Sequence, residues 1–367
     1  MPVNSGKASI LIVIPGEITR STGGSIYDKK LADYLVAQGY RLEIASLPDL
    51  PFLASLIAGV FISPRLLLRV MKTRHDIVIE DGWVQPALVL FNMACRLTGR
   101  TRLLLIVHQL RWQGVSPPFT FLARMVEKTS VRSADLIVAV SRFMKNQLEQ
   151  LVGDSERIII APPGSEVVSR STRKWIEKDE TSLRLLFVGN CTRLKGLIYL
   201  IRALGLLNEL ALKLDVVGDI RFDPRYFDRV RRLANRLKVD DRITFHGLVT
   251  HKQLGLFYSK ADIFTFPSLY EGYGIVLGEA MHAGLAIITT RVGSIGEIVQ
   301  EGENALVVPT ADSEALAAAI RTLVTDASIR RRFGEKSREL AELLPTWRQT
   351  CEAISDSLGD ILPENRV

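Results

Sequence analysis

Short unbroken apolar runs alternate along this chain with stretches of helical period. Residues 10–14 are five consecutive apolar positions, the mark of a strand buried on both faces of a parallel sheet. Pro15, Gly16, Gly23 and Gly24 follow as a loop. Tyr27, Leu31, Tyr34, Leu35 and Gln38 then recur at i, i+4, i+7, i+8 and i+11, one face of a helix that Gly39 stops. Residues 41–46 predict the next strand. The second half opens the same way, with a strand over 184–188, a turn at Gly189, a helix starting at Lys195-Gly196 and a strand over 212–217. Further strands are predicted over 76–80, 102–107 and 135–140, then over 242–246, 263–266, 285–289 and 305–308. Strands alternating with helices imply parallel sheets joined by right-handed crossovers.

Proline, glycine and charge cluster at Ala161-Pro162-Pro163-Gly164 and through the polar stretch 169–182, as they do in linkers. The expected division is a first parallel-sheet domain over 1–165 and a second over 166–345, with a terminal helix inside 346–367 that begins after Pro345. A chain of 367 residues suits two such domains. One segment departs from the pattern. Residues 50–62 carry no charge and lead into Arg65, Arg69, Lys72 and Arg74. Read as an element by itself, the run is too short and too proline-flanked to span a bilayer. It is either a helix lying in a membrane interface or a core helix with a solvated basic end.

The composition, 47% apolar and 24% charged, is that of an ordinary globular protein and excludes disorder. The net charge of +7 is uneven: residues 1–165 hold 19 basic and 13 acidic side chains, and residues 166–367 hold 28 and 27. A basic first half can attract phosphate or an anionic membrane, or serve solubility alone. Nucleic acid is not expected, because zinc spacing, an RNP-type aromatic motif and a basic tail are all missing. Cys95, Cys191 and Cys351 are too scattered for a disulfide framework. The short apolar run near the N-terminus is not a signal peptide, so a cytoplasmic protein is expected.

The chemistry concentrates in Glu271-Gly272-Tyr273-Gly274-Ile275-Val276-Leu277-Gly278-Glu279. A strand, a glycine-bearing loop and a helix start come in that order. Free N–H groups and the helix dipole then converge on one spot and make an anion pocket. A carboxylate a turn or so into the helix can reach sugar hydroxyls, the combination a sugar nucleotide needs.

This segment resembles the E-x7-E signature of the retaining family 4 glycosyltransferases of the GT-B fold. The resemblance runs on through Gly284-Leu285-Ala286, Gly293-Ser294-Ile295-Gly296-Glu297 and Glu301-Gly302-Glu303-Asn304. About 120 residues of the second half match strongly and the first half matches in short islands. The resemblance implies an α/β GT-B fold, two Rossmann-like parallel-sheet domains facing a central cleft, with the terminal helix crossing back onto the first. It also implies a nucleotide-sugar donor, metal-independent chemistry with no cofactor, and a glycan, lipid or lipid-linked acceptor.

Carried onto this chain, the resemblance gives Glu271 hydroxyls of the transferred sugar and Glu279 the ribose hydroxyls. The N–H groups of Gly272, Tyr273, Gly274 and Ile275 complete the pocket. Lys195 lies in a strand–loop–Lys-Gly helix start similar to the family's. A lysine there opposes the helix dipole, and a diphosphate would be the reason for it. The family often carries Arg where this chain has Asn190; Arg193 is the candidate replacement, unless its side chain faces solvent. Gly23 and Gly24 would let backbone approach the diphosphate. His108, at a strand end, would contact the donor sugar and act with Glu271 in catalysis. Asp81 and Trp83, after another strand end, and Trp112 are acceptor-side candidates, although Trp is commonly core. Glu127 reads as structural, and His75, His246, His251 and His282 show no ligand spacing.

Two rivals remain open. A nucleotide-sugar 2-epimerase shares the fold but needs an acid/base cluster that does not stand out. A non-catalytic sugar-nucleotide-binding protein is permitted by Asn190 and disfavoured by Lys195, Glu271 and Glu279. A dinucleotide-dependent dehydrogenase is excluded by the missing G-x-G-x-x-G. The basic, apolar segment after Leu50 makes a lipid or lipid-linked acceptor at the cytoplasmic membrane face the leading expectation, with a soluble saccharide or metabolite as the alternative.

Overall fold

The computed structural model describes residues 7–20, 22–115, 118–153, 155–166 and 182–362. Most of the polar stretch 169–182 and the last residues of the expected terminal helix lie outside them. The chain divides into two compact units, Met1–Pro163 with Trp347–Val367, and Gly164–Thr346.

In the first unit β1 (Ser9–Pro15), β2 (Arg41–Leu47), β3 (Ile77–Asp81), β4 (Arg102–Val107), β5 (Leu136–Ala139) and β6 (Ile158–Ile160) form one sheet, ordered β2-β1-β3-β4-β5-β6. Every pairing is parallel. The helices between the strands are α1 (Gly23–Ala37), α2 (Phe52–Thr73), α3 (Gln85–Thr98), α4 (Thr120–Ser133) and α5 (Arg142–Val152). β6 is the strand the sequence pattern missed: three residues at the sheet edge are too few for a periodicity to register.

In the second unit β7 (Leu183–Val188), β8 (Leu212–Val217), β9 (Ile243–Gly247), β10 (Ile263–Phe266), β11 (Ala286–Thr290) and β12 (Ala305–Val308) are ordered β12-β11-β10-β7-β8-β9, again all parallel. Their crossovers carry α6 (Leu197–Gly205), α7 (Pro224–Leu237), α8 (His251–Lys260), α9 (Ile275–His282) and α10 (Ser313–Thr325), and α11 (Ala327–Ala341) follows. α12 (Trp347–Ile361) belongs to the first unit and packs on α1. Trp347 meets Tyr27 edge-on at 5.7 Å, and the Thr350 hydroxyl donates to the Pro162 carbonyl at 2.7 Å.

The apolar runs become the sheet cores. Ile10, Leu11, Ile12, Val13 and Ile14 are all within 1% of complete burial, as are Ile77, Val78 and Ile79. Each such side chain contributes about 1.5–3 kcal/mol. The segment after Leu50 is longer than its charge-free run suggests. It forms a single 22-residue helix that passes through Pro64. The stripe Phe52, Ser55, Gly59, Ser63, Leu66 and Val70 is buried. A Cβ on Gly59 would stand 2.7 Å from the Ala87 carbonyl oxygen of α3, and the Ser63 hydroxyl donates to that same oxygen at 3.1 Å. This close packing on α3 compensates the hydrogen bond that Pro64 forgoes. The opposite face, Ile57, Phe61 and Leu68, is exposed, so α2 is not simply a core helix.

Candidate functional site

Each sheet has one point where the strand order reverses, and ligands of open α/β sheets bind beyond the strand ends at such points. In the second unit that point lies between β7 and β10. After β7 come Gly189, Asn190 and a 3-10 turn, Arg193–Lys195, that leads to α6. After β10 come Glu271 and the start of α9. The Lys195 ammonium donates to Glu271 Oε2 at 2.6 Å, with the two side chains 28% and 11% exposed. The ammonium also stands 5.1 Å from the centre of the Phe266 ring. The lysine charge that the sequence leaves to a diphosphate is therefore matched in the structure by Glu271. Gly293 supports that carboxylate's backbone: its φ is +56°, and a Cβ there would come within 1.8 Å of the Glu271 carbonyl oxygen. The Ser294 hydroxyl, fully buried, donates to the Tyr273 carbonyl at 3.1 Å.

Gly274 precedes α9 with φ +100°, so the loop Gly272–Gly274 turns sharply into the helix and Ile275 begins it. The first N–H groups of a helix have no partners within it and face outward along its axis. Glu279, one turn on, accepts the Tyr258 hydroxyl at 2.7 Å. Burial raises the Glu279 carboxyl to about 7; the Tyr258 hydroxyl opposes that shift and Glu166 adds to it. Asn190 does not present a free amide oxygen, because its Oδ1 accepts the Asp219 N–H at 3.1 Å. Arg193 is exposed.

In the first unit the order reverses between β1 and β3. Gly23 and Gly24 open α1 there, Asp81 ends β3, and His108 follows β4. Thr22 caps α1 by accepting the Ser25 N–H at 3.2 Å. A Cβ on Gly24 would lie 3.2 Å from His108 Cδ2 and 3.3 Å from Asp81 Oδ2, so glycine permits the close approach of helix, histidine and carboxylate. Asp28, one turn along α1 and 2% exposed, completes the cluster. His108 Nε2 stands 3.8 Å from Asp28 Oδ1 and 3.7 Å from Asp81 Oδ2. Both distances exceed hydrogen-bond length, so the attraction is one of charge. Burial would depress the His108 pKa, but the two carboxylates outweigh it and raise the imidazole above its ordinary value. Burial first, and Asp28 second, push Asp81 up to about 7. Ligand atoms of Asp28, Asp81 and His108 lie within 4.8 Å of one another, a spacing that one divalent cation could bridge. Tyr27 stands edge-on to His108 at 5.1 Å and donates to the Ala161 carbonyl at 2.8 Å.

Beside this cluster the Trp83 N–H donates to Asp81 Oδ1 at 2.6 Å, and the Trp83 indole N–H to Asp49 at 2.8 Å. The Arg111 guanidinium lies 4.7 Å from the Trp83 ring centre and donates to the Trp83 carbonyl. Trp112 packs among Phe52, Ala123 and Val126 rather than beside Asp81. Glu127 accepts the N–H groups of Arg111 and Trp112 at 2.9 and 3.2 Å, which holds that loop. The sequence reading overlooked Asp28, Tyr258 and Ser294. Asp28 carries a usable signal, an acid beside the apolar helix face of Tyr27 and Leu31. Tyr258 and Ser294 carry none, because only packing brings them to Glu279 and Tyr273.

Two Rossmann-like units, each with a polar cluster at its own reversal point, define a protein of the GT-B class. The family model for group 1 glycosyl transferases matches residues 168–340, and that for glycosyltransferase family 4 matches residues 18–167. The chain belongs to these glycosyltransferases. It is 29% identical over 258 residues to a D-inositol 3-phosphate glycosyltransferase of Corynebacterium glutamicum, covering 66% of this chain and 62% of that protein. The chain thus spans less than two thirds of the curated relatives it matches. Among solved structures it resembles a sucrose-phosphate synthase from Thermosynechococcus elongatus, with TM-score 0.83 and 21% identity over 97% of this chain and 99% of the other. It also resembles Anabaena HepE in complex with UDP and glucose, with TM-score 0.77 and 19% identity over 96% and 99%.

Proposed function

We propose that the protein is a retaining, metal-independent glycosyltransferase that moves a sugar from a nucleotide-sugar donor to a lipid or lipid-linked saccharide at the cytoplasmic face of the membrane. The observation that carries the donor reading is the Lys195–Glu271 pair at the β7/β10 reversal, beside the start of α9. A diphosphate competes with Glu271 for the Lys195 ammonium and takes the N–H groups of Gly272, Tyr273, Gly274 and Ile275. Glu271, released, turns to the hydroxyls of the transferred sugar and shields positive charge developing at its anomeric carbon. Glu279 accepts from the ribose. Lys195 and the helix start stabilise the departing diphosphate, which is where negative charge grows in the transition state. In the first unit, the helix start at Gly23 and Gly24 and the His108 imidazole beside it form a polar cluster of their own that handles sugar hydroxyls. Asp81 and Trp83 serve the acceptor side. The chain's lack of an Asp-x-Asp element supports metal independence.

The test is turnover with a panel of sugar nucleotides, beginning with UDP-glucose, and product analysis by NMR. Retention at the anomeric carbon and activity unchanged by EDTA are expected. Inversion, or activity lost to EDTA and restored by Mn²⁺, refutes the mechanism. Epimerised nucleotide sugar without an acceptor would make the protein an epimerase instead. A soluble anionic acceptor is the second reading for the acceptor, favoured by the relatives named for inositol 3-phosphate. Parallel assays with inositol phosphate and with lipid-linked acceptors separate the two.

A further inference from the structure

The outer surface of one helix layer in the first unit is unusually apolar. α2 carries the chain from β2 past β1 to β3, α3 from β3 to β4, and α4 from β4 to β5. All three step the same way across the sheet, so right-handed crossovers put them on one face, while α1 steps the other way. α3 packs against both α2 and α4. Such helices normally turn a polar side outward. Here, of the 22 large apolar side chains exposed among the described residues, 13 lie between Leu53 and Met125, a fifth of the chain. Ile57, Phe61 and Leu68 of α2 are 63–67% exposed, Leu97 of α3 is 87% and Phe121 of α4 is 75%. α2 is long and apolar enough by length and composition to cross a bilayer, yet Gly59 and Ser63 seat the helix on α3.

Charge says what covers this face. Between Leu50 and Ala134 seven arginines and lysines are exposed, Lys72, Arg96 and Arg100 among them, and every aspartate and glutamate there is buried or partly buried. The exposed apolar side chains come from three successive helices and the exposed basic ones from the same segment, so the surface suits an apolar medium behind an anionic layer.

We propose that the outer face of α2, α3 and α4 is a docking surface for an anionic phospholipid bilayer. Ile57, Phe61, Leu97 and Phe121 enter the acyl boundary, and the surrounding arginines and lysines engage lipid phosphates. The inference deepens the membrane-side acceptor proposed above and rests on that reading only for its purpose. Vesicle binding needs no turnover, so each can fail without the other.

The experiment is co-sedimentation of the full chain with vesicles of phosphatidylcholine alone or with about one third phosphatidylglycerol, at low and high salt. Two variants accompany it, Ile57→Gln/Phe61→Gln/Leu97→Gln/Phe121→Gln and Lys72→Glu/Arg100→Glu. The wild type is expected to bind the anionic vesicles and to release partly in high salt. The charge variant should bind at least about 25-fold more weakly, about fivefold for each basic residue removed. The apolar variant should lose binding that survives high salt. Both should keep the wild-type unfolding midpoint and its stabilisation by the preferred sugar nucleotide. Equal binding by wild type and both variants overturns the proposal, and so does absence of binding to any vesicle. Concentration-dependent self-association abolished by the apolar variant would overturn it too, making the face a contact between copies.

Discussion

Glu279 provides the sharpest test of the donor pocket. Its carboxyl ordinarily titrates near 4.5 and here stands at about 7, chiefly because burial disfavours the charged form. The difference corresponds to about 3 kcal/mol against ionisation. The folded state holds this proton more tightly than the unfolded one. Stability is therefore expected to fall as pH rises from about 4.5 to about 7, and to level off above. Glu279→Gln should abolish that slope and be the more stable protein at pH 8. Donor binding has the opposite sign, since ribose hydroxyls donate to the carboxylate only when it is ionised. With a carboxyl titrating at about 7, affinity at pH 6 should be about tenfold below that at pH 8. Calorimetry should use an intact sugar nucleotide, because a terminal phosphate titrates itself near 6. Glu279→Gln should bind weakly with a flat profile. Tyr258→Phe removes the hydroxyl that stabilises the carboxylate at 2.7 Å, so its profile should move to higher pH by about one unit or more. Wild-type affinity that is flat from pH 6 to 8, or a slope that persists in Glu279→Gln, refutes the assignment.

Lys195→Ala should weaken donor binding by one to two tenfold steps, since a charge-assisted hydrogen bond is worth about 1.5–3 kcal/mol. Glu271→Gln should leave donor affinity unchanged or raise it while turnover collapses, because it removes the carboxylate that holds Lys195 at 2.6 Å; equal loss of affinity in both variants would refute competition for the lysine. Gly24→Ala should keep or slightly raise the melting temperature, as alanine favours the helix by up to about 1 kcal/mol, and should still reduce turnover by pressing His108 and Asp81 apart. Unchanged turnover would remove that helix start from the site. Asp28→Asn removes a charge that raises both Asp81 and His108, so NMR titration should find both pKa values lowered. The stability that His108 draws from these carboxylates is complete below about 6.5 and lost as pH rises through its folded value. In Asp28→Asn that loss should be smaller and end at lower pH.

The sequence by itself determined the strands. Eleven of the twelve could be read, most of them as apolar runs, because a strand buried on both faces must be apolar throughout; β2, β8 and β9 carry polar and exposed positions among their apolar ones. The α9 start was equally legible, since a sharp turn into a helix demands glycine locally. The charge-free run 50–62 marked only part of α2, which continues through Pro64 to Thr73; an interior proline costs about 3 kcal/mol by local rule, and packing on Ala87 offsets it. The partnerships were illegible for a related reason. Lys195 and Glu271 are 76 positions apart and meet because β7 pairs with β10, and Asp28, Asp81 and His108 meet because β1 lies beside β3 and β3 beside β4. Strand order is fixed by which apolar faces bury each other across the whole sheet. No local pattern encodes it, so the residue types were visible in the chain while their charges, partners and perturbed acidities were decided only by the tertiary structure.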